Sequence, residues 1–282
     1  MAAEHAPNAS EYIVHHLTHL NSTGEPQKII VDFSIVNWDT VFWSVLMASL
    51  AAFLLYKAAR SVTSGVPGRF NGAIESVIEF VHEQARSIVK GDLTYIAPLA
   101  LTVFIWVVLM NSLDFIPVDL PDWFLRTTGL NHTIHYHRIV PTADLNGTLG
   151  MSLIVLCAML YYGIKIKHPG GFLHELVSAP FGTSKNPLVA VVLGVFNLLL
   201  QIIEYVARCV SLGMRLFGNM FAGELIFLLI ALLGATVTWW GMGLHFLLGL
   251  GWAIFHILIV VLQAFIFMML TLVYIGQAHE GH

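Results

Sequence analysis

The sequence predicts an all-α integral membrane protein. Hydrophobic residues make up 57% of its 282 residues and charged residues only 11%, whereas soluble domains carry about 25% charged residues. So few charges cannot cover a water-facing surface of this size, which indicates that lipid surrounds much of the chain. Several charge-free stretches approach or reach the roughly 20 residues that cross a bilayer. We therefore expect five to six membrane-embedded helices, among them a long, tilted and bent helical hairpin, and a cytoplasmic amphipathic surface helix.

The positions of the apolar stretches divide the chain into segments. In chain order we predict an external N-terminal segment (1–37), a first transmembrane helix (38–60), a cytoplasmic amphipathic helix (61–92), a second transmembrane helix (93–117), an external loop (118–144), a third transmembrane helix (145–167), a cytoplasmic loop (168–187), a tilted membrane-embedded hairpin (188–276) and a C-terminal tail (277–282). The first segment has no apolar core of a signal peptide, so we expect the membrane helices to act as their own insertion signals.

The amphipathic helix is predicted from its periodicity. Its apolar side chains recur at helical spacing while Glu and Arg fall elsewhere on the wheel. These apolar residues are Ile74, Val77, Ile78, Val81 and Ala85. Such a helix lies on a membrane surface or under another subunit.

The hairpin is predicted from length and charge. Residues 188–234 would extend roughly 70 Å as one helix, over twice the apolar thickness, so this segment must bend into a hairpin or lie strongly tilted. Between Glu224 and Glu280 there is no charged residue, which leaves room for two helical passes. Trp239, Trp240 and the stretch from Gly241 to Gly243 predict a turn between them.

Lysine and arginine in the short loops predict the orientation. The two segments that follow the first and third spans hold Lys57, Arg60, Arg69, Arg86, Lys90, Lys165, Lys167 and Lys185. The opposite side holds only Lys28, Arg126 and Arg138. The N-terminus is therefore expected outside and the first and third loops in the cytoplasm.

Composition and motifs also argue against several functions. The net charge is −4 and there is no basic patch, which argues against nucleic-acid binding. No GxxxxGK[ST] motif for a nucleotide occurs. The two cysteines, Cys157 and Cys209, lie in apolar stretches and are interpreted as small core residues.

A stripe of polar side chains follows one face of the predicted helix around residue 215. At about 100° per residue these side chains fall within a sector of about 80°. The stripe consists of Gln201, Glu204, Arg208, Ser211, Arg215 and Asn219. Glu224 falls on the opposite face of the same helix.

The two arginines of this stripe differ in their surroundings. An arginine is costly inside a membrane and keeps its charge at any relevant pH. Arg208 has Glu204 four residues before it, which is a favourable pair within one helix. Arg215 has no acid at that spacing, so we expect its counter-charge to come from another helix or another subunit.

The last predicted span carries a second set of polar residues. His256 and Gln263 are seven residues apart and share a face that Gln277 continues. A lone histidine in an apolar helix is usually a hydrogen-bonded packing residue. A histidine in general titrates near neutral pH, and Glu224 lies on a neighbouring segment, so the two could take up and release protons.

Two acids lie at the end of the second span, in "MNSLDFIPVDLPDW". Asp114 directly follows the apolar stretch, and Asp119 comes five residues later. Either they cap a solvated helix end, or they form the external mouth of a proton path.

The motifs "SLGMRLFGNMFAGELIF" (211–227) and "WAIFHILIVVLQAFIFMMLTLVY" (252–274) resemble subunit a of bacterial F-type ATP synthases, and "NSLDFIPVDLP" and the order of spans fit as well. The resemblance covers about residues 38–276. It implies that Arg215 is the essential arginine beside a rotating ring of c subunits, each with one mid-membrane carboxylate. It also implies that Glu224, His256, Asn219 and Gln263 belong to the access path from the external side.

The resemblance is weaker for the cytoplasmic exit path. The bacterial pattern has a Glu at the position of Gln201, whereas this chain has its acid at Glu204, one turn later on the same stripe. Ser211 is expected to line the same path. Arg208 stands where relatives often have a lysine, and its role stays open.

The implied function is a non-catalytic proton-conducting subunit with two offset half-channels that Arg215 separates. No cofactor is expected, and H⁺ is favoured over Na⁺ by the pairing of His256 with Glu224. The implied partners are the c-subunit ring, the b-subunit stator stalk, the remaining Fo and F1 subunits and membrane lipid. The implied location is the bacterial inner membrane, with the C-terminus in the cytoplasm.

Two other classes of protein fit single features of the sequence. A membrane metalloenzyme is suggested by His132, His135 and His137 and by His279 with His282, but no HExxH motif is present. A secondary transporter would show an internal repeat with paired broken helices, and the sequence shows none.

Overall fold

The computed structural model describes residues 9–23, 34–62, 65–117, 119–129, 137–184, 186–234 and 238–278. These residues form α-helices joined by turns and contain no β-strand. The helices are α1 (Ala9–Leu17), α2 (Trp38–Arg60), α3 (Arg69–Ile88), α4 (Ile96–Ser112), α5 (Leu120–Thr128), α6 (Leu145–Ser178), α7 (Pro187–Gly234) and α8 (Trp239–Gln277). Short 3-10 turns occur at Leu113–Phe115 and Pro141–Ala143.

Five of these helices are long and apolar enough to cross a membrane, namely α2, α4 together with the 3-10 turn that follows it, α6, α7 and α8. Their surfaces carry large apolar side chains that a water-soluble protein would bury. Leu188 is 83% exposed, Val192 70% and Phe246 66%. The predicted class, an all-α membrane protein, is therefore confirmed.

The chain forms two compact units. The first contains Met1–Arg60, Ile105–Thr148 and Leu216–Phe265, and the second contains Ser61–Phe104, Leu149–Arg215 and Ile266–His282. Within the first unit, Met110, Leu216 and Leu228 are almost fully buried. Within the second, Ile96, Leu212 and Leu272 are the corresponding core side chains.

Segments that the sequence predicted as loops contain additional helices. The N-terminal segment includes α1 and the loop after the second span includes α5. Proline in the first turn of α5 favours a helix start, and Gly129 ends the helix with φ 73° while its N–H donates to the Arg126 carbonyl. Only glycine adopts this left-handed conformation without strain.

The predicted cytoplasmic loop after the third span is helical as far as Ser178. His168 interrupts α6 with φ 58°, and Pro169 starts its second half. Proline disfavours the helical conformation of the residue before it, yet fits well at a helix start. Nζ of Lys167 donates to both carboxylate oxygens of Glu175 at 2.7 Å, which ties the two halves together.

The predicted turn around Trp239 and the glycines at 241–243 is displaced by a few residues. Helix α7 ends at Gly234 and α8 begins at Trp239, so these residues lie in the first turns of α8, which is one continuous helix of 39 residues. Helix α7 is likewise a single helix of 48 residues, so residues 188–234 do not fold back on themselves. In lipid, a continuous helix satisfies the backbone hydrogen-bonding groups internally. This gain outweighs the low helix propensity of its glycines.

Helix α3 has the predicted amphipathic character. Val81 and Ala85 are buried, whereas the glutamates of this helix are exposed. The prediction that both cysteines are core residues is wrong for Cys157, which is exposed, and Cys209 is half-buried. Both thiols are free.

Candidate proton-path residues

Glu224 is buried and is bound by Arg138, which lies near the end of the predicted external loop (118–144). Nε of Arg138 donates to both carboxylate oxygens of Glu224, at 3.2 and 3.1 Å, and Nη2 donates to Oε2. The two side chains are 5% and 11% exposed. Arginine's planar fork suits such a two-pronged contact with a carboxylate. The sequence predicted His256 as the neighbour that matters for Glu224, whereas the structure pairs this acid with an arginine.

Two further residues hold Arg138 in place. Nη1 of Arg138 lies 3.0 Å from Nε2 of His19. Nδ1 of His19 lies 3.2 Å from Oδ2 of Asp39, which also accepts the backbone N–H of Arg138 at 3.2 Å. We call His19, Asp39, Arg138 and Glu224 the Glu224 cluster. All four belong to the first unit.

His256 is fully buried and pairs with Asp114. Its Nε2 lies 2.6 Å from Oδ2 of Asp114. The imidazole packs edge-on against Phe115 and Phe227, at centroid distances of 5.5 and 5.2 Å. An apolar cage of this kind strengthens the interaction between the two polar groups.

A glycine allows His256 to lie against α7 beside Glu224. A Cβ atom at Gly223 would lie 2.2 Å from Cε1 of His256 and 2.9 Å from its Nδ1. Since both groups are buried, neither an alanine at 223 nor the imidazole could move aside freely. Gly223 thus brings the His256–Asp114 pair and Glu224 into one region of the first unit.

Some buried polar atoms in this unit have no hydrogen-bond partner within the described parts of the chain. They are Asn111 Oδ1, Thr142 Oγ1, Trp252 Nε1 and His256 Nδ1. Buried atoms of this kind are normally satisfied by internal water molecules. Two of these atoms, His256 Nδ1 and Trp252 Nε1, belong to rings whose centres lie 5.8 Å apart, which favours a water molecule beside the His256 ring.

The amides predicted for this path lie nearby in the chain but differ in burial. Gln263 is 7% exposed and lies two turns after His256 in α8. Nδ2 of Asn111, on α4, lies 3.5 Å from the Val260 carbonyl, between these two residues. Asn219 is half-buried on α7.

Arg215 lies on an exposed face of α7. Taken at about 100° per residue, the exposed small residues of this helix share a sector of about 80° with it. They are Ala207, Ser211, Gly218 and Ala222. We call these four residues and Arg215 the Arg215 face. Small residues on a membrane helix allow another helix to approach its backbone closely.

Arg208 and Glu204 form the ion pair that their spacing predicts, in the second unit. Nη1 of Arg208 also donates to Oε1 of Gln277 at 2.5 Å, and its guanidinium lies 5.4 Å from the ring centre of Tyr274. Glu204 is exposed, whereas Gln201 is half-buried. Arg208 thus connects the polar stripe of α7 to the end of α8.

Asp119 does not join the buried acids. Its side chain is 73% exposed, and Oδ1 accepts the hydroxyl of Tyr12 at 2.9 Å. Asp119 therefore connects α1 to the start of α5, and only Asp114 of the two predicted acids reaches the interior.

A cavity of about 580 Å³ between α3 and the start of α4 is lined by none of the predicted site residues. His82 and Asp92 lie in its wall. The Thr94 hydroxyl and backbone N–H bond to Asp92 at 2.5 and 2.9 Å, which holds the pKa of this exposed carboxyl below its ordinary value.

Among the described residues, no group of three or more His, Cys, Asp or Glu could hold a metal ion. His132, His135, His279 and His282 lie outside these residues. His137 is described, and its Nε2 accepts the indole N–H of Trp43 at 2.9 Å.

Comparison with known proteins identifies the family. The family of the ATP synthase A chain matches residues 41–276. The chain is 57% identical to the ATP synthase subunit a of Acidovorax sp. (strain JS42) and 56% identical to that of Paracidovorax citrulli (strain AAC00-1), over the whole of both chains in each case. It is 48% identical to ATP synthase subunit a 1 of Methylococcus capsulatus, over 99% of this chain and 98% of the relative. With five helices able to span a membrane and a match over most of its length, this chain belongs to the ATP synthase A chain family.

Proposed function

We propose that this chain is the stator subunit that conducts protons through the membrane sector of a bacterial ATP synthase. It lies beside a ring of c subunits, each with one carboxylate at mid-membrane, and is held by the b-subunit stalk. The chain spans the inner membrane several times, with its N-terminus outside and its C-terminus in the cytoplasm. It catalyses no reaction itself and couples proton flow to rotation, and so to ATP synthesis elsewhere in the complex.

The observation that carries this proposal is the exposed position of Arg215 among small residues. The small side chains of the Arg215 face leave room for another helix to approach Arg215 closely, and a permanent cation exposed on a membrane helix favours an anion on that neighbour. A c-subunit helix with an ionised carboxylate meets both requirements. When that carboxylate is protonated it is neutral and can rotate through lipid, whereas the bare charge cannot.

The external half-channel runs through the first unit. Asp114, His256, Glu224 and Asn219 follow one another along it, with Gln263 in its wall. The buried atoms without hydrogen-bond partners support this route, because they favour water molecules along which protons move. An imidazole and two carboxyl groups line this route, and such groups bind and release protons, which favours H⁺ as the transported ion.

The cytoplasmic half-channel runs through the second unit. Glu204 and Ser211, both exposed on α7, receive protons from the ring, and Gln201 lies beside them. Arg215 is between Ser211 and Asn219 in the chain, so its fixed charge separates the two groups of residues. Protons are repelled from this position and must therefore travel with the ring.

The Arg215 face predicts that a large side chain at position 218 reduces proton pumping. A Cβ atom at Gly218 would meet nothing within 4 Å, so Gly218→Leu should leave the isolated chain folded. It should nevertheless reduce ATP-driven proton pumping by at least about tenfold, because the larger side chain moves the c-subunit helix away from Arg215. Pumping is measured in inverted membrane vesicles with a pH-sensitive dye.

The matched control is Gly150→Leu. Gly150 also has open space around its Cβ position, but its face of α6 carries Leu153 and Ile154, which are 53% and 66% exposed and suit lipid. This variant should pump normally. Equal pumping by the two variants, at equal amounts of assembled complex, would contradict the proposal that the Arg215 face lies against the c ring.

A further inference from the structure

The buried ion pair of Glu224 contains Arg138, a residue that the proposed proton path does not include. Arg138 is 5% exposed, and its guanidinium lies 5.5 Å from the ring centre of Phe221, one turn before Glu224. Both nitrogens that face the carboxylate donate to it. The third nitrogen, Nη1, faces His19 instead.

The backbone at Arg138 and after it is held by hydrogen bonds to the start of α2. The residues that follow it, Val140 to Asp144, are all buried. Oδ2 of Asp144 accepts the amide of Asn37 and the hydroxyl of Thr40, each at 2.9 Å. Asp39 accepts the backbone N–H of Arg138 itself. The start of α2 therefore holds the segment 138–144 in place, and with it the guanidinium of Arg138.

His19 lies against Nη1 of Arg138, the guanidinium nitrogen that does not donate to Glu224. If Nδ1–H donates to Asp39, then Nε2 carries no proton and can accept from Nη1 of Arg138. The neutral imidazole thus relays one contact from the carboxylate of Asp39 to the arginine. A protonated His19 would instead present a donor to a donor and place two cations together.

We propose that Arg138 is a positioning residue that holds the Glu224 carboxylate in the external proton path. The proposal rests on the proposed function, in which Glu224 carries protons. Without the guanidinium, an ionised carboxylate at this depth would be an uncompensated buried charge, so Glu224 would stay protonated and could no longer pass a proton on. Asp39 and His19 act through Arg138 in the same way.

The test compares two replacements of Arg138 that fill similar space. Arg138→Met keeps an unbranched and adaptable side chain without the charge, whereas Arg138→Lys keeps the charge without the planar fork. We expect passive proton flux through the assembled membrane sector to fall at least about tenfold in Arg138→Met and to recover partly in Arg138→Lys. A role in packing alone predicts equal flux for the two variants.

The second arm combines Arg138→Met with Glu224→Gln. If Arg138 acts through Glu224, the double variant conducts within about twofold of Glu224→Gln alone, because residues in one interaction are not additive. If the fold-loss of proton flux in the double variant equals the product of the two single fold-losses, the proposal is overturned. Flux is normalised to the amount of this chain that co-purifies with the c ring. If Arg138→Met does not assemble, the same comparison is made with Arg138→Lys and its combination with Glu224→Gln.

The outcomes separate this proposal from the proposed function. Normal flux in Glu224→Gln would show that Glu224 carries no protons, which would remove the positioning role of Arg138 and the place of Glu224 in the proposed path. Impaired flux in Glu224→Gln together with normal flux in Arg138→Met would overturn the positioning role and leave the function of Glu224 intact.

Discussion

Replacing Arg215 with alanine should abolish ATP-driven proton pumping while the chain still assembles in the membrane. The side chain lies on an exposed face of α7, so its loss leaves the buried core of the chain unchanged. The ionised c-subunit carboxylate would lose its counter-charge next to lipid, at a cost of several kcal/mol. Since each 1.4 kcal/mol is about tenfold, pumping should fall by at least about 100-fold.

The measurement is ATP-driven dye quenching in inverted vesicles that contain equal amounts of complex. Arg126→Ala serves as the control, because Arg126 is also exposed but lies on α5, away from the polar stripe. It should pump like the unchanged protein. Sustained pumping by Arg215→Ala would refute the role proposed for this arginine.

Replacing Glu224 with glutamine should slow proton entry at least about tenfold. Glutamine keeps the size of the side chain and can still accept a hydrogen bond from Arg138, but it cannot bind and release a proton. The lost ion pair also costs stability, because Arg138 then remains buried with its full charge. Proton flux must therefore be compared per assembled complex.

Glu224→Asp provides the matched comparison. It keeps an acid but shortens its reach towards Arg138, so its passive flux should lie between those of the native chain and Glu224→Gln. Passive flux is measured in vesicles from which the soluble ATPase sector has been stripped. Unchanged flux in Glu224→Gln would count against a proton-carrying role for this acid.

The fold class was predictable because lipid imposes simple requirements on a sequence. Apolar length and the absence of charge predicted the membrane helices, and the structure has five that are long and apolar enough. The uninterrupted course of α7 and the start of α8 at Trp239 were not predictable in the same way. Glycines that mark turns in water, such as Gly241 and Gly243, are compatible with a membrane helix because no water competes for its backbone.

The additional helices in the predicted loops escaped detection for a different reason. Helices α1 and α5 have nine residues each, which is too short for the apolar periodicity that reveals a span. The break in α6 could have been recognised from Pro169, which disfavours a helical His168 and starts a new helix at the same time.

The sequence indicated Glu224 and His256 but not their partners. Spacing predicts contacts within a helix, as it did for Glu204 and Arg208. Arg138, Asp39 and His19 lie 86 or more residues from Glu224 in the chain, and no helical spacing connects such distant residues. One signal was available: Arg138 is followed by the short apolar run "IVP", which is typical of a buried segment.

Proximity of the Arg215 face to the rotor is tested most directly by a disulfide between the two subunits. The chain's own thiols are first removed with Cys157→Ser and Cys209→Ser. Gly218→Cys or the control Gly150→Cys is then combined with single cysteines along the carboxylate-bearing helix of the c subunit. A disulfide requires Cα atoms within about 7 Å. We expect oxidation to join position 218, but not position 150, to a c subunit near its carboxylate. Failure of position 218 to cross-link to any c-subunit position in the assembled complex would contradict the account.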